Sequence, residues 1–220
     1  MGDFLSLNSI SHWDSSKKLM MEGRRYKEEI DTGNLALNML EKPIKELQEQ
    51  QKNHKVKQYK PKKVFILGNH CAWVDKYVEQ NPQLEGHIDL VEDLKIHKRG
   101  WDVIPYKGYY ECNNILFTHV PIAANQQPVS GKYALHSALA LSAKSVVFAH
   151  THRLEQTNFK RHGTDELIQG LTVGCFFEGE DEYAEGGANH YWRGICMLNI
   201  WRQGRFDLTT ISLENLIDGI

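Results

Sequence analysis

Three short apolar runs in this chain each stop at a residue that can ligate a metal. Val64 to Leu67 runs into Gly68-Asn69-His70, Ile115 to Phe117 into Thr118-His119, and Val146 to Ala149 into His150-Thr151-His152. Runs of this length are consistent with buried strands, and the strands of an open α/β sheet deliver their C-terminal ends to a shared edge where ligands bind. Asn69, His119, His150 and His152 then form an oxygen-and-imidazole set suited to divalent ions such as Mn, Fe, Zn, Co or Ni. A carboxylate should complete the set. Asp3, following Gly2 at a strand end, can supply it and could bridge two ions. A lone G-N-H or H-x-H arises by chance; the order of the motifs and their strand contexts carry the signal.

The elements that must position these residues are legible to different degrees. From about residue 17 to 54 the chain is charged and helical, with Ile30, Leu37, Leu40, Ile44 and Leu47 building an amphipathic face that Pro43 should bend or divide. Strands are expected over residues 64–67, 101–105, 115–117 and 145–148, with Gly108 and the Asn113-Asn114 turn signal between the second and third. Helical segments are expected over 72–79, 88–94 and 131–143, the last offering Leu135, Leu139 and Leu141 to a core. Beyond His152 the pattern changes to shorter strands over 167–173, 194–200 and 206–211. The acidic, Gly-rich stretch 178–187 lacks calcium-loop spacing and reads as a solvated excursion.

At 220 residues the chain suits a single domain, 1–220, with a substantial core. Its 26 Lys and Arg against 28 Asp and Glu leave a net charge of -2, so no global electrostatic case for nucleic acid or an anionic membrane exists. Lys52, Lys55, Lys57, Lys60 and Lys63 are the one local hint of a phosphate-backbone partner, and they read as a solvated helix end and linker. No apolar stretch approaches the roughly 18 residues of a membrane span, and no secretory signal opens the chain. Cys71, Cys112, Cys175 and Cys196 form no C-x-x-C pair, which favours reduced thiols and a cytoplasmic location.

Taken together, Gly2-Asp3-Phe4-Leu5, Gly68-Asn69-His70, His119 and Val146-Val147-Phe148-Ala149-His150-Thr151-His152-Arg153 resemble the calcineurin-like metallophosphoesterase superfamily. The closest flavour is the phage and bacterial type, to which Gly174-Cys175 and Tyr191-Trp192-Arg193-Gly194 also look similar. The resemblance implies a four-layer αββα sandwich of two mixed β-sheets flanked by helices, and hydrolysis of a phosphoric ester P–O bond by metal-activated water. It implies two metal ions, with Asp3 bridging them, Asn69, His119 and His150 completing one site and His152 serving the other. His70 would act as general acid at the leaving group, and Arg153 could neutralise substrate phosphate or form a strand-edge salt bridge.

The chain also departs from the family pattern. No D-x-H precedes Asp3, so the family's first strand, first helix and second strand are expected to be missing, leaving one well-formed metal site. An upstream polypeptide could supply that segment. Ser6 and Cys71 stand where the family has carboxylates near the general acid, so His70 should be less protonated near neutrality. Trp73 replaces an arginine, and Ala149 a glycine. Two readings of another class follow: a catalytically inactive metal- or partner-binding remnant, or a nuclease. The substrate is a phosphorylated molecule of unread class.

Overall fold

The computed structural model describes residues 1–11, 18–161, 163–178 and 190–219, and the fold is mixed α/β. His12, Trp13, His162 and nearly all of the acidic stretch 178–187 lie outside the described residues. No helix among the described residues is long and apolar enough to cross a membrane. The chain divides into two compact units, residues 3–106, and residues 107–220 together with 1–2.

In residues 3–106 the short helix α1 (Lys18–Met21) is followed by the long α2 (Tyr26–Asn53). A two-stranded parallel sheet joins β1 (Lys63–Ile66) to β2 (Trp101–Ile104), linked through α3 (Cys71–Gln80) and α4 (Leu90–Asp93). Ile30 and Leu37 of α2 pack with Phe65, Trp73, Val74, Leu90, Leu94 and Ile96 to form one core. The buried face of α2 runs through Ile30, Gly33, Leu37 and Glu41. Leu40 and Leu47, expected on that face, are instead 57% and 41% exposed. At 100° per residue the stripe through 30, 37 and 41 leaves 40 and 47 on its flank. Pro43 does not divide the helix. The carbonyl that loses its donor belongs to Met39, four residues back on an exposed turn where water can serve it.

Glu41 is a buried carboxylate on an otherwise apolar face, and a ring of donors keeps it charged. Its Oε1 accepts from Lys63 and Trp101 at 2.9 and 2.8 Å, and its Oε2 from Lys45 and Arg99 at 2.9 and 3.2 Å. Burial works to raise its pKa, but the hydrogen bonds from Lys63, Lys45 and Trp101 prevail and bring it down to about 2.

The second unit is built on a five-stranded sheet in the order β3-β4-β5-β7-β6. Its strands are β3 (Tyr110–Cys112), β4 (Ile115–Thr118), β5 (Ser145–Phe148), β6 (Leu154–Lys160) and β7 (Leu167–Val173). Asn113 and Asn114 both have positive φ, 49° and 65°, the conformation of a two-residue hairpin turn whose twist matches the flanking strands. β4, β5 and β7 run parallel, and every residue of β5 is buried, as a central strand covered on both faces requires. One face carries α5 (Ala134–Leu141), whose Leu135 and Leu139 pack with Val146, Phe148 and Ile168. Leu141, expected in the core, is 56% exposed.

The opposite face carries the hairpin of β8 (Gly194–Arg202) and β9 (Arg205–Ser212), which closes over Ile115, Val147 and Leu171 with Phe206. Gln169 ties the two layers together. Its side-chain amide donates to the Phe206 carbonyl at 3.2 Å and accepts from the Phe206 amide at 2.7 Å. Helix, sheet and hairpin therefore form three layers, and α6 (Leu213–Asp218) ends the described chain.

Candidate metal centre

β4 and β5 are parallel with Ile115 opposite Ser145 and Thr118 opposite Phe148, so both strands end on one edge of the sheet. His119 and His150 follow those ends directly, and the Ala149 amide donates to the His119 carbonyl at 3.1 Å, carrying the pairing one step further. His119 is 1% exposed. The two imidazoles meet at 80° with centroids 5.1 Å apart, and His150 Nδ1 lies 3.2 Å from His119 Nε2. Two imidazole nitrogens each about 2.0–2.1 Å from one ion, at a near-tetrahedral angle, would stand roughly that far apart.

The turn that aims these rings is a strained one. His150 and His152 have φ of 64° and 57°, and the Thr151 amide between them donates to the Ala149 carbonyl at 2.7 Å. Left-handed backbone disfavours any side chain, though histidine tolerates it better than most. The His152 ring sits edge-on to Tyr191 at 4.5 Å and Phe177 at 5.9 Å, with the Arg193 guanidinium 5.4 Å from the Phe177 centroid. Gly2, of the same unit, has φ 71°, and a Cβ there would overlap the His119 ring. Only glycine fits that position.

In residues 3–106, β1 is followed by Leu67, whose amide donates to the Ile104 carbonyl at 2.9 Å, and then by the turn that starts α3. The His70 amide at the head of α3 donates to Asp3 Oδ1 at 2.9 Å. Helix N-termini favour negative charge, which suits a carboxylate here. A Cβ on Gly68 would overlap the Asp3 carboxylate and backbone amide. Burial and the Asp3 charge raise the Tyr106 hydroxyl above its ordinary pKa.

His70 Nδ1 lies 2.9 Å from the Ser6 backbone carbonyl, and its ring stacks on Trp73 at 4.0 Å and 19°. A carbonyl only accepts, so Nδ1 carries the proton of that bond. The atom of Ser6 that orients His70 is thus its backbone carbonyl. Cys71 is buried, and that burial pushes its thiol up to about 11, keeping it neutral beside His70.

Of the residues singled out from the sequence, Asp3, Gly68 and His70 are in mutual contact within residues 3–106, with Asn69 in the same turn. His119 and His150 meet in the other unit, and His152 completes their turn among aromatic rings. Arg153 pairs with Glu155 at 3.3 Å and donates to the Gly131 carbonyl at 2.6 Å, the geometry of a strand-edge salt bridge. The stack of Trp73 on His70 and the Tyr191–Phe177 surround of His152 were not foreseen from the sequence. Neither carries a spacing signal. No family model, curated protein or solved structure matches this chain.

Proposed function

We propose that the protein is a metal-dependent phosphoric ester hydrolase in which Asp3, His119 and His150 together hold a divalent ion. The observation that carries this reading is the 3.2 Å approach of the His119 and His150 nitrogens at the common end of two parallel strands. One carboxylate and two imidazoles match the donor preferences of Mn, Fe, Zn or Co. The resemblance would add the Asn69 carbonyl oxygen to the ligands of that ion and assign His152 to a second. The layering of α5, sheet and β8–β9 hairpin supports the further reading of a calcineurin-like sandwich.

A bound ion of this kind polarises a phosphoryl oxygen and lowers the pKa of a water molecule. The chain's own side chains do the rest. Asp3 is held by the His70 amide and shaped by Gly68, so its carboxylate is fixed before any ligand arrives. His70, held through Nδ1 by the Ser6 carbonyl, would give a proton from Nε2 to the leaving-group oxygen as an imidazolium and be left as the neutral imidazole.

Co²⁺ titration followed by visible absorption tests the metal site, and Mn²⁺-dependent hydrolysis of p-nitrophenyl phosphate and bis(p-nitrophenyl) phosphate tests the chemistry. The wild-type chain should bind metal and hydrolyse at least one ester, and His119→Ala and His150→Ala should lose both. Absence of metal binding in the wild type overturns the proposal. Binding without hydrolysis overturns its catalytic half and leaves a metal-binding protein.

A further inference from the structure

A second feature of residues 3–106 owes nothing to the metal centre. Three cations, Lys45, Lys63 and Arg99, share the single carboxylate of Glu41, leaving an excess of two positive charges. The carboxylate side chain is 3% exposed, and those of Lys63 and Arg99 are 21% and 11% exposed, so water screens the imbalance poorly. A cavity of about 290 Å³ opens on these groups, lined by Glu41, Lys45, Lys60, Lys63 and Arg99 with Ile44, Gln48 and Pro61. Lys60 adds a third uncompensated charge to the wall.

Hydrogen-bonding capacity is unevenly spent around this cavity. Arg99 gives its donors to the Leu94 carbonyl, Asn34, Asn38 and Glu41, so it contributes charge and no further bond. Lys63 gives two protons, to Glu41 at 2.9 Å and to the Arg99 carbonyl at 2.5 Å, and keeps one. Lys45 gives one to Glu41 and keeps two. Lys45, Lys60 and Lys63 thus line one small space with donors to spare, and the one carboxylate there has both oxygens occupied.

We infer that this cavity is a binding site for a tetrahedral oxyanion, orthophosphate or sulfate. A dianion offsets two of the three excess charges and would accept from Lys45, Lys60 and Lys63, which a monovalent halide cannot do. The volume lies at the low end of small-molecule sites, about 300–1,000 Å³, and fits an oxyanion with its waters better than a nucleotide. The basic run ending at Lys63 is thereby more than a solvated linker.

Thermal unfolding and isothermal titration with sodium phosphate and sodium sulfate test the site, against sodium chloride at matched ionic strength. A chelator excludes any anion held through a metal, so failure here is distinguishable from failure at the metal centre. The wild type should show saturable stabilisation by phosphate and sulfate beyond that of chloride. Lys60→Ala and Lys45→Ala/Lys60→Ala should weaken binding by about tenfold or more, as loss of a charge-assisted hydrogen bond implies. Lys60 is an exposed side chain, so the single variant should keep its fold. His150→Ala should bind the anion as the wild type does. Equal shifts with chloride, or equal affinity in Lys60→Ala and the wild type, overturn the inference.

Discussion

Asp3 is the residue on which the candidate chemistry turns, and its position is determined by neighbours that do no chemistry themselves. Gly68 is glycine because a Cβ would occupy the space of the Asp3 carboxylate, and Gly2 because one would enter the His119 ring. Gly68→Ala should therefore weaken Co²⁺ binding by roughly 10–100-fold, the usual loss when a partner orienting a ligand is removed. Titration of the purified variant, with far-UV circular dichroism showing the fold retained, measures this. At this scale the sequence was informative about identity and silent about contact. Asn69, His70, His119, His150 and His152 stood out by motif, but nothing in their spacing showed that the Ser6 carbonyl would hold His70 or that Trp73 would stack on it. Those contacts depend on a loop and a helix meeting through tertiary packing.

Strands with strong apolar runs were the most legible elements. Residues 145–148 and 167–173 were expected as strands and have those bounds, because a fully buried strand admits little besides apolar residues. β6, written Leu-Glu-Gln-Thr-Asn-Phe-Lys, was missed, since a partly exposed edge strand of polar residues gives a weak alternation signal. The long helix was legible at its C-terminal end, but the expected stretch from about residue 17 breaks between α1 and α2, and its buried stripe was misplaced because Glu41 sits where a leucine would be looked for. That carboxylate makes α2 acid-sensitive. Its pKa of about 2 lies below its ordinary value, so the stabilisation it brings is complete above about pH 4.5 and is lost as pH falls through about 2. Between those values it should cost about 3 kcal/mol, and Glu41→Gln should flatten that part of the profile while lowering stability at pH 7. Urea unfolding from pH 7 to pH 2 checks both.

Three apolar clusters stabilise the described residues, one around Leu37, Leu94 and Ile96 within residues 3–106, and one on each face of the five-stranded sheet, around Leu135 and Phe148 and around Leu171, Val147 and Phe206. Leu37→Ala and Leu171→Ala should each cost about 2–5 kcal/mol. Hydrogen exchange read by mass spectrometry should show the first loosening α2 and α3, and the second loosening β5, β7 and β9. Loosening of the same segments by both variants would contradict the division. Against that background, the left-handed backbone at His150 and His152 has an evolutionary consequence. Glycine at either position would relax the turn, and selecting a library of this protein for heat resistance alone should enrich glycine or asparagine there. Under the proposed metal site, survivors that had replaced His150 would be sturdier yet would no longer respond to Co²⁺, so heat resistance and ion binding would pull this turn in opposite directions.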